Sequence, residues 1–521
     1  MKSTLPDKIV SYFNPEAGMR RYRARIAEAQ LGQIAKRHFE GASSGRRTEG
    51  WMTPGSSANT AAALALPALR NRSRDLVRNN PYAERAIRIL SSHAVGPGIV
   101  PKAGGPKGKA KKANDLWKQW AESTDCDLTG RSNFYGLQTL VMRGIAEGGE
   151  VLVRRVRSAE KGLNVPFQLQ LLEADFLDHN RTWLRTKVDE NYIIQGIEFD
   201  PKGRRVAYWI FPEHPGGYVT GKLMGVQAER VPASEILHLY RLDRIGQLHG
   251  IPFLAPALLR VRDFDVLEDA WLTREQVASC FAAFIYDIDG TIDAPAGKKD
   301  DEKLERLEPG TIETLPPGKK IEFANPPVAQ GAADFAKSVL RGISVGTGVT
   351  YEALTNDYSN VNFSSARMGH LEFRKNVTEL QWHVMVPQFC EPVFRWFSDA
   401  ALISGVNIQG VTSRWAPPRP EMIDVDKETR ANTAQIRSGQ KTLSQVILEN
   451  GDDPEEHFEE LAADFKKLDE FGLVLDCDPR KMTAQGNAQP PLDAETGEAE
   501  DQSDSKPGKK PKKTSDQEDE S

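Results

Sequence analysis

Three groups of residues have the types and spacing for chemistry. Glu147 and Glu150 straddle Gly148-Gly149, and two carboxylates that close can divide acid and base roles. Here, however, they sit at an expected helix-to-strand turn, where a surface position is the simpler expectation, as it is for the turn acids Asp200, Asp287 and Asp289. Gly41-Ala42-Ser43-Ser44-Gly45 spells a GxSxG string. A nucleophile elbow needs a strand before the serine and a helix after it, whereas a basic helical run precedes this one and Arg46-Arg47 follow. Asp265, Glu268 and Asp269 fall at i, i+3 and i+4, which places three acids on one helix face.

Other chemistries are excluded by spacing. There is no HExxH and no close His/Cys/Asp group with metal-ligand spacing, so no metal or cofactor is expected. Residues 102–112 (KAGGPKGKAKK) read as a Gly/Pro/Lys loop without the GxxxxGK[ST] pattern, and in Gly439-Gln440-Lys441-Thr442 the glutamine separates Gly from Lys; neither cradles a phosphate. Cys126, Cys280, Cys390 and Cys477 are far apart and read as reduced thiols. His370 lies on an apolar helical stripe and is expected in the core.

The acid face belongs to the element that organises the chain. After Gly250, Pro252 and Pro256, no Gly or Pro interrupts the sequence up to Tyr286, and Phe264, Leu267, Trp271, Ala278, Phe281 and Ile285 recur at three- and four-residue steps, with Arg274 as the polar interruption. That period predicts a helix of about eight turns at about 3.6 residues each, long enough to pack against copies of itself. Before it, residues 51–245 read as an α+β body. Two helices meet at Asn79-Asn80, with Pro81 opening the second, Ala83, Ile87 and Leu90 as its stripe, and Gly96 stopping it. Arg70, Arg72, Arg74, Arg78, Arg85 and Arg88 stud this pair and read as a basic surface, either solvated or facing phosphates. A helix over 134–147 precedes strands at 150–156, 167–172, 193–199, 206–211 and 236–240, mainly antiparallel. After the long helix come a small β insertion with strands at 311–315 and 320–323, a helix over 334–345, a polar loop over 350–364, and a helix over 365–386 broken by Pro387.

The totals predict about two to four domains with an ordinary soluble balance. In 521 residues the formal net charge is -5, which excludes the bulk basicity of a nucleic-acid coat. The longest apolar stretch, 61–69, is far short of the roughly 18–20 residues of a membrane span. The N-terminus shows no apolar signal region. Residues 1–50 read as a weakly held basic arm, and 476–521 as a disordered tail of Pro, Gly, Lys and acids.

Five segments, in order, resemble the portal proteins of tailed bacteriophages, most closely the lambda-type group: LRNRSRDLVRNNPYAERAIRILSSHAVGPGI, FYGLQTLVMRGIAEGGEVLVRR, LQLLEADFLD, HGIPFLAPALLRVRDF and NDYSNVNFSSARMGHLEFRK. They cover most of residues 51–400. The resemblance implies a non-enzymatic, α+β, portal-type fold with long stem helices, an antiparallel β wing, a small β clip and a helical C-terminal crown. Carried onto this chain, the wing is 51–245 together with 365–419, the first stem helix lies in 246–286, the clip is 287–330, and the second stem helix lies in 331–348. The channel loop is 349–364 and the crown 420–475. The resemblance further implies a homo-oligomer, usually dodecameric, at one capsid vertex of the virion, assembled in the host cytoplasm and not on a membrane. Its partners would be the terminase large subunit, a major capsid or scaffold protein, head–tail connector proteins, and double-stranded DNA passing without sequence specificity. Asp265, Glu268 and Asp269, with Tyr351, Asp357, Tyr358 and Asn360 of the loop, are then candidates to line the channel. Two other readings remain: a hydrolase with scattered carboxylates, in which replacing some acid, such as Glu150, abolishes turnover, and a DNA-binding module built on the Arg70–Arg88 surface.

Overall fold

The computed structural model describes residues 55–158, 163–217, 227–279, 331–359, 361–418, 425–449 and 454–475, the backbone of 283–287 and 319–323, and scattered residues before 55. The expected strand at 311–315, residue Asn360, most of the N-terminal arm and the acidic tail lie outside the described residues. The chain divides into two compact units, one formed by Met1–Leu90, Leu140–Val156 and Leu169–Asn360, the other by Ser91–Thr139, Arg157–Gln168 and Val361–Ser521. No described helix is long and apolar enough to cross a membrane.

The first unit begins with helices α1 (Ala58–Ala63), α2 (Leu66–Asn79) and α3 (Pro81–Val95). Asn80 caps α3, its Oδ1 accepting from the Tyr82 and Ala83 amides at 3.0 Å each, and Pro81 fills the first position, where a missing N–H costs nothing. In the second unit, strand β1 (Val100–Gly104) and helix α4 (Lys107–Glu122) occupy the Lys-rich stretch expected as a loop. Asn114, inside that helix, accepts from the Ala103 amide, and the alternation of Lys with Ala and Trp gives an amphipathic helix after Pro106 where Gly and Pro content alone predicted none. Helix α5 (Phe134–Gly148) runs into β2 (Glu150–Arg157); β3 (Phe167–Glu173), β2 and β8 (Ile236–Tyr240) form one antiparallel sheet, with Glu150 opposite Tyr240 and Leu152 opposite His238.

A second sheet orders β4 (Tyr192–Ile194), β5 (Ile197–Phe199), β6 (Arg205–Ile210) and β7 (Glu229–Pro232). The run 193–199 is therefore not one strand. Gln195 and Gly196 both take positive φ, 49° and 83°, the geometry of the tight turn that matches strand twist. The two sheets close over a core that includes Leu152, Leu177, Ile197, Tyr208, Ile210 and Ile236.

The long helix α6 covers Leu258–Ser279, about 33 Å at 1.5 Å per residue. It is shorter than its apolar period predicted. Beyond it Ile285 lies on strand β9 (Ala283–Asp287), which pairs antiparallel with β10 (Lys319–Phe323), Ile285 facing Ile321. Aromatic and β-branched residues satisfy either period over a short run, and cross-strand pairing decides. Helix α7 (Ala332–Thr347) packs on α6. A Cβ on Gly346 would stand only 3.2 Å from the Ala257 Cβ, so a glycine permits the close approach. The stretch expected as a flexible loop contains helix α8 (Tyr351–Thr355), capped by Thr350 and closed by Asn356 at φ 56°.

In the second unit, α9 (Phe363–Glu379) continues through a π-helical segment, Leu380–Cys390, into α10 (Glu391–Ile403). Pro387 does not break the helix. The wider turn makes room for its ring, and the Gln388 side chain donates to the His383 carbonyl at 3.4 Å. His370 is half-exposed and not in the core. Strand β11 (Thr412–Ala416) pairs with β1. The core is aromatic: Trp117 and Trp120 pack against Phe134, Phe394 and Phe397. Helices α11 (Val425–Arg437), α12 (Leu443–Glu449) and α13 (Pro454–Glu470) follow.

Candidate functional site: a buried carboxylate hub and the acidic helix face

Glu150 is not at the surface. It is 2% exposed, as is Arg70, and both oxygens are engaged from several elements. Oε1 accepts from Arg70 Nη2 at 3.0 Å. Oε2 accepts from His238 Nε2 at 2.9 Å, from His249 Nδ1 at 3.1 Å and from the Gly250 amide at 2.9 Å.

Local structure explains each arrival. In α2 the buried residues are Leu66, Arg70, Ser73 and Val77, a 4-3-4 stripe with two polar members. These two close the end of α5. Arg70 Nε donates to the Gly148 carbonyl at 3.3 Å and Ser73 Oγ to that of Glu147 at 2.7 Å, so carbonyls that a helix end leaves without partners are satisfied. His238 is two residues from Tyr240 on β8, and strand alternation turns it to the same face as Glu150. His249 is brought by the bend after β8, held by Gln247, whose side chain accepts from the Asp243 and Arg244 amides and donates to the His249 carbonyl. Gly250 approaches the α5–β2 turn so closely that a Cβ there would lie 1.9 Å from the Gly149 carbonyl oxygen.

The electrostatics follow from burial. Desolvation alone would raise Glu150, but the His249 and His238 side chains that face it outweigh this and hold it well below the usual carboxylate range. Burial pushes His238 and the neighbouring His179 down to about 4 against the pull of Glu150. Asp175 lies below its ordinary value: burial opposes this, and Arg70 at 3.2 Å with Arg74 at 2.6 Å overcome it. The resulting state is an ionised Glu150 paired with Arg70 and accepting from the neutral imidazole of His238 and from His249. A carboxylate with all its lone pairs used is a structural acceptor, not a poised base, and the hydrolase reading loses its named residue. Arg70 likewise leaves the expected basic surface.

Glu150, His238 and His249 also present ligand atoms within 4.8 Å of one another, a set of the kind that binds zinc. The surroundings do not fit an ion. Arg70 already neutralises the carboxylate. His238 Nδ1 and His249 Nε2 are buried without a partner among the described residues, whereas metal-bound imidazoles donate their far N–H to an acceptor.

The channel candidates lie elsewhere in the same unit. Asp265 accepts from Asn80 Nδ2 at 3.1 Å, and Glu268 from the Tyr82 hydroxyl at 3.5 Å; both are half-buried against the start of α3, and Asp269 is exposed. Burial, with Asp265 and Asp269 nearby, raises Glu268 above its ordinary value. In the loop, Tyr351 donates to Asp357 at 3.1 Å, Asp357 also accepts from the Ser359 amide and hydroxyl, and Tyr358 is exposed. Arg85 is drawn off the basic surface too, donating to the Ala353 carbonyl at 3.1 Å and to Asn356 Oδ1 at 2.7 Å.

Sequence reasoning missed Arg70, His238 and His249. Two signals were present: an arginine and a serine inside an apolar 4-3-4 stripe, and a histidine alternating with Ile236 and Tyr240 on an apolar strand.

Comparison with known proteins adds to this geometry. Residues 44–381 match the family described as phage portal protein, lambda family. A probable portal protein of Halomonas phage phiHAP-1 is 25% identical over 427 residues, covering 78% of this chain and 81% of that protein. Portal protein B of Escherichia phage lambda is 22% identical over 484 residues, covering 82% and 89%. Among solved structures, a chain from the virion of a native gene transfer agent particle aligns with a TM-score of 0.42 at 13% identity, covering 75% of this chain and 94% of its own length. An HK97 family phage portal protein from Corynebacterium diphtheriae gives 0.31 at 11% identity, covering 61% and 86%.

Proposed function

The chain belongs to the lambda family of phage portal proteins and functions as a portal protein, and from that premise we propose a homo-oligomeric ring, dodecameric in the usual case, at one vertex of the virion capsid. The observation that carries this reading is the family match, which spans 44–381 and so includes α6, β9, β10, α7 and α8 in one run. In this reading the ring assembles in the host cytoplasm, conducts DNA in packaging and ejection, and docks the terminase large subunit, the major capsid or scaffold protein and the head–tail connectors. The protein acts as a scaffold and not as an enzyme. Helices α6 and α7 are the stem, β9 and β10 belong to the clip between them, residues 349–364 are the channel loop, and 420–475 the crown.

Asp265, Glu268, Asp269, Tyr351, Asp357, Tyr358 and Asn360 are the residues we assign to the lumen. An acidic wall repels phosphates and lets DNA slide, where dense Lys and Arg would retain it by counterion release. Exposed Asp269 would present its charge directly. Asp265 and Glu268 would add to the field from behind, while also holding α3. The test is the mass of the purified chain by light scattering, with negative-stain images of the same sample. A closed ring with a central hole is expected; a chain that stays monomeric, alone and with its capsid protein, overturns the proposal.

A further inference from the structure

Three residues at the start of α3 hold two elements that the proposed function places on the DNA path. Asn80 caps α3 with Oδ1 while Nδ2 donates to Asp265 of α6. Tyr82 reaches Glu268 one turn further along α6 and sets its ring edge-on to Phe264 at 5.7 Å. Arg85 points to the loop instead, where its guanidinium grips the end of α8 through the Ala353 carbonyl and Asn356 Oδ1.

Helix α8 has only five residues, far below the about 12–15 at which an isolated helix becomes marginal, so its position depends on what anchors it. Leu354 is buried and the Val349 amide donates to the Ser344 carbonyl of α7 at 3.3 Å; beyond these, side chains reach the loop from two sides. On the α7 side, Lys337 Nζ is 4.0 Å from Asp357 and Arg341 lies 5.6 Å from the Tyr351 ring centre; a loose ion pair near the surface is weak and screened. On the α3 side are two charge-assisted hydrogen bonds from one planar fork, roughly twice as strong as neutral ones. Of these charged side-chain anchors, the Arg85 grip is the stronger.

On the reading that residues 349–364 line the channel, we propose that Arg85 is the positioning residue of that loop. The Asn80–Tyr82–Arg85 bracket couples its place in the lumen to the stem helix α6. Displacement of α6 then moves Tyr351, Asp357 and Tyr358 through α3, alongside the direct links from α7.

Two pairs of variants separate this from a general structural role. Arg85→Ala removes the grip, and Arg85→Lys keeps the charge but not the two-pronged geometry. Asn356→Gly keeps the left-handed backbone at φ 56° and removes only the acceptor, whereas Asn356→Asp retains it. In assembled wild-type and variant rings, hydrogen exchange is read at the Leu354 and Asn356 amides, which donate within α8, alongside amides of α6. Exchange at those two amides rises at least about tenfold in Arg85→Ala and Asn356→Gly, less in Arg85→Lys and little in Asn356→Asp, while α6 stays protected. Packaged particles carrying the first two variants also retain less DNA. Unchanged exchange at the two amides, or a rise shared equally by α6, overturns the bracket. Failure of the wild-type chain to form rings would instead overturn the portal reading on which it rests.

Discussion

Replacing Arg70 by Met tests the buried hub most directly. Methionine keeps much of the length and none of the charge, so Glu150 is left with two imidazoles and the Gly250 amide. Removing one partner of a buried ion pair costs about 3–5 kcal/mol, and the Gly148 carbonyl also loses its donor. The protein has one escape, protonation of a histidine in place of the lost guanidinium. With His238 at about 4, that costs about (7 − 4) × 1.36, or roughly 4 kcal/mol, at pH 7. The two routes are of equal size, so the loss at pH 7 is about 3–4 kcal/mol. The escape becomes cheaper in acid, by about 1.4 kcal/mol per pH unit, so the gap between variant and wild type narrows to about 1–2 kcal/mol at pH 5. Thermal unfolding at matched concentration and assembly state reads this. At about 2 °C per kcal/mol for a large unit, Tm falls by about 6–8 °C at pH 7 and by half that or less at pH 5. A variant within about 2 °C of wild type at pH 7, or a gap that does not narrow in acid, refutes the assignment of Arg70 and Glu150 as a buried pair backed by a neutral His238.

The wild-type protein should lose stability in mild acid. His238 and His179 fall from 6.5 unfolded to about 4 folded, so their contribution is complete above 6.5 and disappears as pH falls towards 4, by at most about 3 kcal/mol each. Glu150, also depressed, adds loss in the same direction below its unfolded value of 4.5; a Tm that is flat or rises from pH 7 to 5 contradicts this. Gly250→Ala drives a methyl group into the Gly149 carbonyl oxygen and displaces the amide that Glu150 uses. Overpacking and the lost hydrogen bond together cost about 3 kcal/mol, and a scan that shows less than about 1 kcal/mol defeats the close-approach argument. Asp269→Lys changes an exposed side chain, so Tm stays within about 1 °C, while DNA passage slows and becomes more salt-dependent; an ejection rate indistinguishable from wild type would count against an acidic lumen wall.

Much of the element order was determined by the sequence alone, because it rests on local rules. Asn80 and Pro81 start α3 by capping, Gly96 ends it, and the apolar period through Phe264 and Leu267 writes α6. The family was legible too, since five ordered segments of wording need no coordinates. What tertiary structure decided was of another kind. The end of α6 and the strand character of Ile285 depend on pairing with β10, more than thirty residues away in sequence. Pro387 passes through a helix because the turn around it widens to π-helical geometry and makes room for its ring. The stretch 350–359 is held by local caps at Thr350 and Asn356 and, from far upstream, by Arg85. Above all, a local reading prices Arg70 and Glu150 as surface charges, since a charge alone belongs in water. Only the convergence of α2, β2, β8 and the bend at His249 supplies the opposite charge and the donors that let both be buried, and that convergence is a property of the fold.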